Sequence, residues 1–152
     1  MLPKTNSLWR LRLPGLSFIL YPSAFLLVLL AGCGGGDPFS YVQVSGKVTY
    51  EDGSAIPYGL MLQFYPQREP LDAKTYPRVG TAEVDKATGE FSSATSYRLN
   101  DGLVRGKHKV LIISIGGMIP PEIVPEEYSD LTRTPLEVDT AEQPFHLKVR
   151  RP

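Results

Sequence analysis

The chain's only cysteine, Cys33, is the residue whose type and surroundings favour a specific chemical modification. It follows Leu30, Ala31 and Gly32 and precedes three glycines. A cysteine thiolate is a nucleophile that forms covalent bonds to incoming groups. The small side chains before it leave the backbone open to a peptidase. The residue types around Cys33 therefore fit a site of chain cleavage and sulfur modification.

Residues 1–32 have the three parts of a secretory signal peptide. Lys4, Arg10 and Arg12 make the start basic, the largely apolar run 16–30 follows, and small residues then lead to Cys33. A helix that spans a bilayer needs roughly 20 apolar residues, which this run does not supply. We expect the segment to be removed by cleavage, with a retained, tilted membrane span as the alternative.

The segment 30–33 resembles the lipobox of bacterial lipoproteins, in which an aliphatic residue and two small residues precede an invariant cysteine. The resemblance implies that a signal peptidase recognises Leu30, Ala31 and Gly32 and cleaves before Cys33. It also implies that the sulfur of Cys33 is acylated and that Cys33 becomes the mature N-terminus. Several acyl chains on one residue anchor a protein stably in a membrane. The alternative is a free or buried cysteine that merely follows a signal peptide.

The two histidines do not form a recognisable catalytic or metal-binding motif. His108 lies at the start of a predicted strand, where a packing role is favoured. His146 lies beside Lys148 and Arg150 on the polar face of another predicted strand, which favours a solvated surface position. Neither has cysteine, aspartate or glutamate at the spacing of a metal site. We therefore predict no catalytic residue and no cofactor, although a dispersed active site is left open.

Two groups of side chains leave weaker alternatives. The carboxylates of the segment 122–130 would suit Ca²⁺, which prefers several oxygen ligands, but they lack the spacing of a known loop, and a solvated acidic loop is favoured. Asp85 and Glu90 flank a turn, where aspartate usually accepts hydrogen bonds from its own backbone. Five tyrosines would offer a sugar-binding face, although packing in loops is the simpler interpretation: Tyr58, Tyr65, Tyr76, Tyr97 and Tyr128.

Composition limits the size and class of the protein. Removing residues 1–32 from the 152-residue chain leaves 120 residues, which is enough for one domain. That part holds all 16 acidic residues but only 13 of the 16 basic ones, for a net charge of −3. A nucleic-acid-binding protein needs a concentrated basic patch, and none is visible. Fourteen prolines and fourteen glycines favour short strands and turns over long helices.

Residues 42–152 are predicted to form the folded domain, joined to Cys33 by a flexible tether at 33–41. Alternating or apolar segments predict seven strands. One helical turn is expected at 125–129, where proline suits a first turn. The strand density predicts an all-β domain that is a single seven-stranded Greek-key β-sandwich. The seven strands are predicted at 42–50, 60–65, 78–84, 90–92, 107–115, 136–138 and 145–150.

The order of motifs in this domain resembles that of carboxypeptidase regulatory-like domains, which have a prealbumin (transthyretin)-like sandwich. The resemblance covers about 42–150 and departs at Val84, where threonine is usual, and at His108, where an aromatic is usual. Residues 123–130 further resemble a segment of short bacterial lipoproteins that carry this domain. The motifs are the strand 44–50, Gly53, the pair 56–57, the strand 62–64, the turn 84–91 and the strand start 106–110.

Together these features predict a lipid-anchored lipoprotein that is not an enzyme. It would lie on the extracytoplasmic face of the cell membrane or the outer membrane, held by membrane lipid through acylated Cys33. The resemblance implies a non-catalytic binding or structural module of the cell envelope, whose partner would be an envelope protein or a glycan, and no nucleic acid. An envelope hydrolase with a dispersed active site and a glycan-binding module are the alternatives.

Overall fold

Nine β-strands form sheets of two, three and four strands in the computed structural model, which describes residues 36–116 and 119–152. The domain Asp37–Pro152 is one compact unit. The strands are β1 (Tyr41–Val42), β2 (Gly46–Tyr50), β3 (Leu60–Pro66), β4 (Gly80–Glu83), β5 (Glu90–Phe91), β6 (Leu103–Val104), β7 (Lys107–Ser114), β8 (Glu137–Asp139) and β9 (Phe145–Val149).

The four-stranded sheet has the order β4-β3-β7-β8, and all its neighbours are antiparallel. Alternate residues of β3 are buried, as the sequence predicts for Leu60, Leu62 and Phe64. The strand β7 lies between β3 and β8, which confirms its predicted central position. Its apolar residues on both faces fit that position, because a central strand is covered from both sides.

The three-stranded sheet has the order β5-β2-β9, with β2 antiparallel to β5 and parallel to β9. Phe145, Leu147 and Val149 are buried, while His146 and Lys148 are exposed. This confirms the predicted alternation of the last strand. A parallel neighbour requires a long connection, and here the whole domain lies between the two strands.

The inward faces of these two sheets share one hydrophobic core. Three phenylalanines bring the sheets together: Phe64 lies 6.0 Å from Phe91 and 6.1 Å from Phe145, measured between ring centroids. The rings are tilted rather than parallel, which is a favourable arrangement for aromatic pairs. The domain is therefore all-β and sandwich-like.

The number and length of the strands differ from the prediction of seven. The predicted strand 42–50 is two strands, because the chain leaves β1, which pairs with β6, and then joins β5 and β9 through β2. Gly46 is the first residue of β2, where the pairing with β9 begins. The two backbones lie so close there that a Cβ on residue 46 would be only 2.5 Å from the carbonyl oxygen of Phe145. The two-residue strand β6 was not predicted, because two apolar residues are too short for a periodic signal.

The predicted helical turn is confirmed as a 3₁₀ helix, Glu126–Ser129, with Pro125 as its N-terminal cap. Tyr128 is the residue that this turn buries in the core. Among the described residues, no helix is long and apolar enough to cross a membrane.

Candidate functional site

The residues predicted to direct lipidation, Leu30, Ala31, Gly32 and Cys33, lie outside the described residues. The described chain begins at Gly36, three positions after Cys33. The part of the structure nearest to the predicted anchor is therefore the segment that begins at Gly36.

Residues 37–41, here called the tether base, pack against the domain. The Phe39 side chain is buried, with 6% of its surface exposed. One carboxylate oxygen of Asp37 accepts a hydrogen bond from the backbone N–H of Phe39 at 2.9 Å, and the other accepts one from Arg78 Nε at 2.8 Å. Burial acts to raise the pKa of Asp37, but these hydrogen bonds outweigh it and hold the pKa below its ordinary value. The last part of the predicted tether is thus fixed to the domain.

Arginine and aromatic side chains surround the tether base. The Tyr97 ring lies between two guanidinium groups, with its centroid 4.7 Å from Arg78 Cζ and 5.4 Å from Arg98 Cζ. On the same ring, Tyr41 stacks at 6.4 Å between centroids. Arg68 Cζ lies 5.6 Å from the Phe39 ring centroid. Such placements of a guanidinium over a ring are cation–π contacts.

A fourth arginine reaches the tether base through its backbone: the N–H of Arg105 donates to the carbonyl oxygen of Ser40 at 3.0 Å. The group formed by Arg68, Arg78, Tyr97, Arg98 and Arg105 is called the arginine collar below. Each of its members is exposed. The collar thus brings arginines and one aromatic residue together at the tether base.

The loop that presents Tyr97 and Arg98 is shaped by Asp101. Its carboxylate accepts hydrogen bonds from the backbone N–H groups of Ser96, Tyr97 and Arg98, at 2.9, 3.0 and 2.8 Å. Gly102 follows with φ +96, and a Cβ there would collide with the carbonyl of Val42. This close approach requires glycine and holds the loop against the start of the domain.

His108 is a core residue, as the packing interpretation predicts. Its side chain is 1% exposed and its ring meets that of Phe64 edge-on, with centroids 6.5 Å apart. Nδ1 lies 3.1 Å from the carbonyl oxygen of Gly106, whereas Nε2 has no hydrogen-bond partner among the described residues. Burial lowers the pKa of His108 most strongly, and the Gly106 carbonyl and Asp139 only partly offset it. A neutral ring that donates from Nδ1 fits this site.

His146 lines a groove on the outer face of the three-stranded sheet. The groove has a volume of about 550 Å³ and is open to solvent. In the strand register, Lys47 lies opposite both His146 and Glu90, and Lys47 Nζ donates to Glu90 Oε1 at 3.4 Å. Hydroxyl groups of Ser45 and Thr88 also line the groove. The groove thus combines an exposed ion pair, an imidazole and hydroxyl groups with the apolar side chains of Phe91 and Pro144.

Two of the four carboxylates in the acidic segment 122–130 have partners within the protein. Glu127 Oε1 accepts a hydrogen bond from Arg150 at 3.0 Å. Asp130 accepts from Thr132 and Arg133, and these hydrogen bonds, with the Thr132 hydroxyl first, lower its pKa to about 2. In residues 36–116 and 119–152, no three histidine, cysteine, aspartate or glutamate side chains are grouped to hold a metal ion.

The turn between β4 and β5 has the structure expected of its aspartate. Asp85 Oδ1 accepts hydrogen bonds from the backbone N–H groups of Ala87 and Thr88, at 2.8 and 2.9 Å. Those two hydrogen bonds, with Thr88 first, hold the pKa of Asp85 below its ordinary value. The carboxylate thus serves to shape the turn.

The five tyrosines considered for a sugar-binding face have different surroundings. Tyr128 is buried, and its hydroxyl accepts a hydrogen bond from the backbone N–H of Arg150 at 2.9 Å. Tyr58 packs against the core, and Tyr65 donates to the side chain of Gln63. Only Tyr76 and Tyr97 of the five are exposed. The structure therefore does not assemble the five rings into one face.

The sequence did not predict the collar. Asp37 and Arg78 are 41 positions apart, and the sequence pattern predicts Arg78 as the start of a strand. Residues 93–102 have no regular pattern, so the role of Asp101 in presenting Tyr97 and Arg98 was not visible. The adjacent pair Tyr97-Arg98 was the one local signal of an amphipathic surface.

Searches for related proteins give no family assignment: no protein-family model, curated protein or solved structure matches this chain. The class that the coordinates define is an all-β, sandwich-like domain. Its distinguishing local features are the packed tether base and the arginine collar.

Proposed function

We propose that the protein is a lipoprotein of the cell envelope, held at a membrane by acyl chains on Cys33. Its domain acts as a non-catalytic binding or structural module on the extracytoplasmic face. The observation that carries the proposal is the order of segments: a secretory signal peptide, the lipobox-like residues 30–33, and a folded domain that begins at Asp37.

The finer fold we propose is the Greek-key sandwich of prealbumin-like, carboxypeptidase regulatory-like domains. Two of the motifs that suggested it coincide with elements of the structure. The segment 84–91 is the turn between β4 and β5, with Gly89 at φ +74, and the segment 106–110 begins the central strand β7. The His108 ring is buried, which supports a match to the position where the family has an aromatic.

A binding or structural role is favoured over hydrolysis by the surroundings of the two histidines. His108 is sealed in the core, where no substrate reaches it. His146 lies in an open groove next to an exposed Lys47–Glu90 ion pair. A general base must lie within hydrogen-bond reach of the proton that it takes and is usually held there by a partner. In the part of the chain that the structure describes, no carboxylate forms a hydrogen bond with either histidine ring. The open groove is instead the candidate surface for an envelope protein or a glycan.

Replacing Cys33 with serine tests the anchor. A hydroxyl is a far weaker nucleophile than a thiolate at neutral pH, so the variant Cys33→Ser should remain an uncleaved, unacylated precursor. The measurements are partition between detergent and water, labelling with radioactive palmitate, and the size of the chain. The matched control is Ser40→Cys on the native background, which adds a second thiol outside the 30–33 motif.

The expected result is loss of the palmitate label and of the size change in Cys33→Ser, with normal processing and label in Ser40→Cys. Cleavage of Cys33→Ser at the native site would contradict the lipoprotein assignment. So would a palmitate label on that variant.

A further inference from the structure

We propose that the arginine collar contacts the phospholipid headgroups of the membrane in which Cys33 is anchored and so fixes the orientation of the domain. This inference rests on the proposed lipidation of Cys33. It assigns a surface and a ligand chemistry that lipidation alone does not imply.

The first argument is the length of chain between the anchor and the domain. Asp37 is held to the domain through Arg78, so only residues 34–36 lie between Cys33 and a fixed position. Four residue steps span at most roughly 14 Å when fully extended. The headgroup layer on each side of a bilayer is itself roughly 5–7 Å thick. With Cys33 acylated, the surface around Asp37 must therefore stay close to the headgroups.

The second argument is the charge of that surface. Arg68, Arg98 and Arg105 are exposed and form no ion pair in the part of the chain that the structure describes. Arg78 is paired with Asp37, and the Asp101 carboxylate keeps its charge although it accepts hydrogen bonds from three backbone N–H groups. The four arginines and these two aspartates therefore carry a net charge of +2. A guanidinium binds a phosphate through two parallel hydrogen bonds. The three arginines thus have their hydrogen-bonding capacity available to lipid phosphates.

The third argument is the aromatic and apolar character of the loop between these arginines. Tyr97 is 37% exposed, and Leu99, two positions later, is 83% exposed. Tyrosine is enriched at membrane–water interfaces because its ring is apolar and its hydroxyl is polar. An exposed leucine is unfavourable in water and favourable among lipid chains. Cations and apolar groups together suit a headgroup surface better than open solvent.

The experiment uses the acylated protein in vesicles of phosphatidylcholine and phosphatidylglycerol that contain a headgroup nitroxide. A fluorophore is attached through Leu99→Cys in the collar loop, or through Ala55→Cys, an exposed position beyond the turn after β2. Because Cys33 is the only native cysteine and is blocked by acylation, the introduced thiol is the only one that reacts. Mass spectrometry of the N-terminal peptide first establishes that Cys33 is acylated.

Quenching of the fluorophore should be several-fold greater at position 99 than at position 55. Each basic side chain near an anionic surface favours binding by about fivefold. The double variant Arg68→Gln with Arg98→Gln should therefore lower the equilibrium constant between oriented and unoriented domain by roughly 30-fold. The matched pair Lys86→Gln with Lys148→Gln removes the same charge elsewhere on the domain and should leave quenching unchanged. Circular dichroism of each variant checks that the fold is retained.

Failure of the two proposals is distinguishable. An unmodified Cys33 refutes the anchor. An acylated protein with equal quenching at positions 99 and 55 refutes the collar contact. Strong quenching at position 99 that survives loss of Arg68 and Arg98 also refutes it, because the short tether alone would then place the loop. Equal losses from the arginine and lysine pairs would refute it as well, since they would show an effect of net charge only.

Discussion

The sandwich core and the arginine collar are built on opposite principles. In the core, Phe64, Phe91 and Phe145 fill a common space and exclude water, so their neighbours are determined by shape. In the collar, charged and aromatic groups remain exposed although they contact one another. The core therefore stabilises the domain, whereas the collar leaves guanidinium and aromatic groups exposed for contacts with other molecules.

The stability of the core and that of the collar should therefore respond differently to mutation. Core changes should lower the free energy of unfolding strongly, because lost burial and cavities are costly. Collar changes should scarcely affect it, since exposed ion pairs contribute little.

Replacing Phe145 with alanine should lower the free energy of unfolding by roughly 3–5 kcal/mol, as for other buried phenylalanines. The side chain is 2% exposed and contacts both other core phenylalanines. Denaturant unfolding measures the change. Lys148→Ala on the outer face of the same strand is the control and should alter the free energy by no more than about 0.5 kcal/mol. Equal midpoints for the two variants would contradict the assignment of the core face.

His108 should make the core sensitive to acid. Because burial lowers its pKa, the unfolded chain binds the proton more readily, near pH 6.5, than the folded domain does. Stability should thus be fully present above about pH 6.5 and fall below it, by up to about 1.4 kcal/mol per pH unit. The lowered pKa values of Asp52 and Asp130 are about 2, so these carboxylates titrate well below that window.

The variants His108→Phe and His146→Gln separate the two histidines. The phenylalanine should remove most of the dependence of unfolding free energy on pH between 5 and 6.5, because the buried site then has no group that takes up a proton. His146→Gln is the control that removes an imidazole from an exposed position and leaves the core unchanged. A slope that persists in His108→Phe would assign the acid sensitivity to another group.

The Asp37–Arg78 pair should have the smallest effect on global stability. The Arg78 side chain is 52% exposed whereas that of Asp37 is 7% exposed, so solvent screens the pair in part and its coupling free energy should be about 1 kcal/mol. A double-mutant cycle with Asp37→Asn and Arg78→Gln measures that coupling. Local protection should change more: hydrogen exchange at Phe39 should accelerate in both single variants. Unchanged exchange at Phe39 would show that the pair does not hold the tether base.

The sequence predicted the core far better than the collar, for a physical reason. Alternation of apolar residues on β3 and β9 follows directly from the two-residue period of a strand, so their buried faces were predictable. The collar is assembled from loop residues that are distant in sequence, such as Phe39 and Arg68. No periodicity relates such residues, and only the folded domain brings them together.

The structure has nine strands where seven are predicted, because pairing in the folded domain is not visible in the sequence. Pairing partners decide where a strand ends, and the change of partner between β1 and β2 has no signature in an otherwise regular alternation.

The acidic segment 122–130 is a case in which composition suggests more than the fold provides. Its composition left a metal site open, but the partners of Glu127 and Asp130 are arginines and a threonine from the fold itself.

The central claim is that this domain is a lipid-anchored module, and mass spectrometry of the mature N-terminal peptide tests it most directly. The account predicts that the mature chain begins at Cys33 and that this residue carries acyl chains. A mature chain that begins at another residue would contradict the account, as would an unmodified Cys33 in protein isolated from membranes.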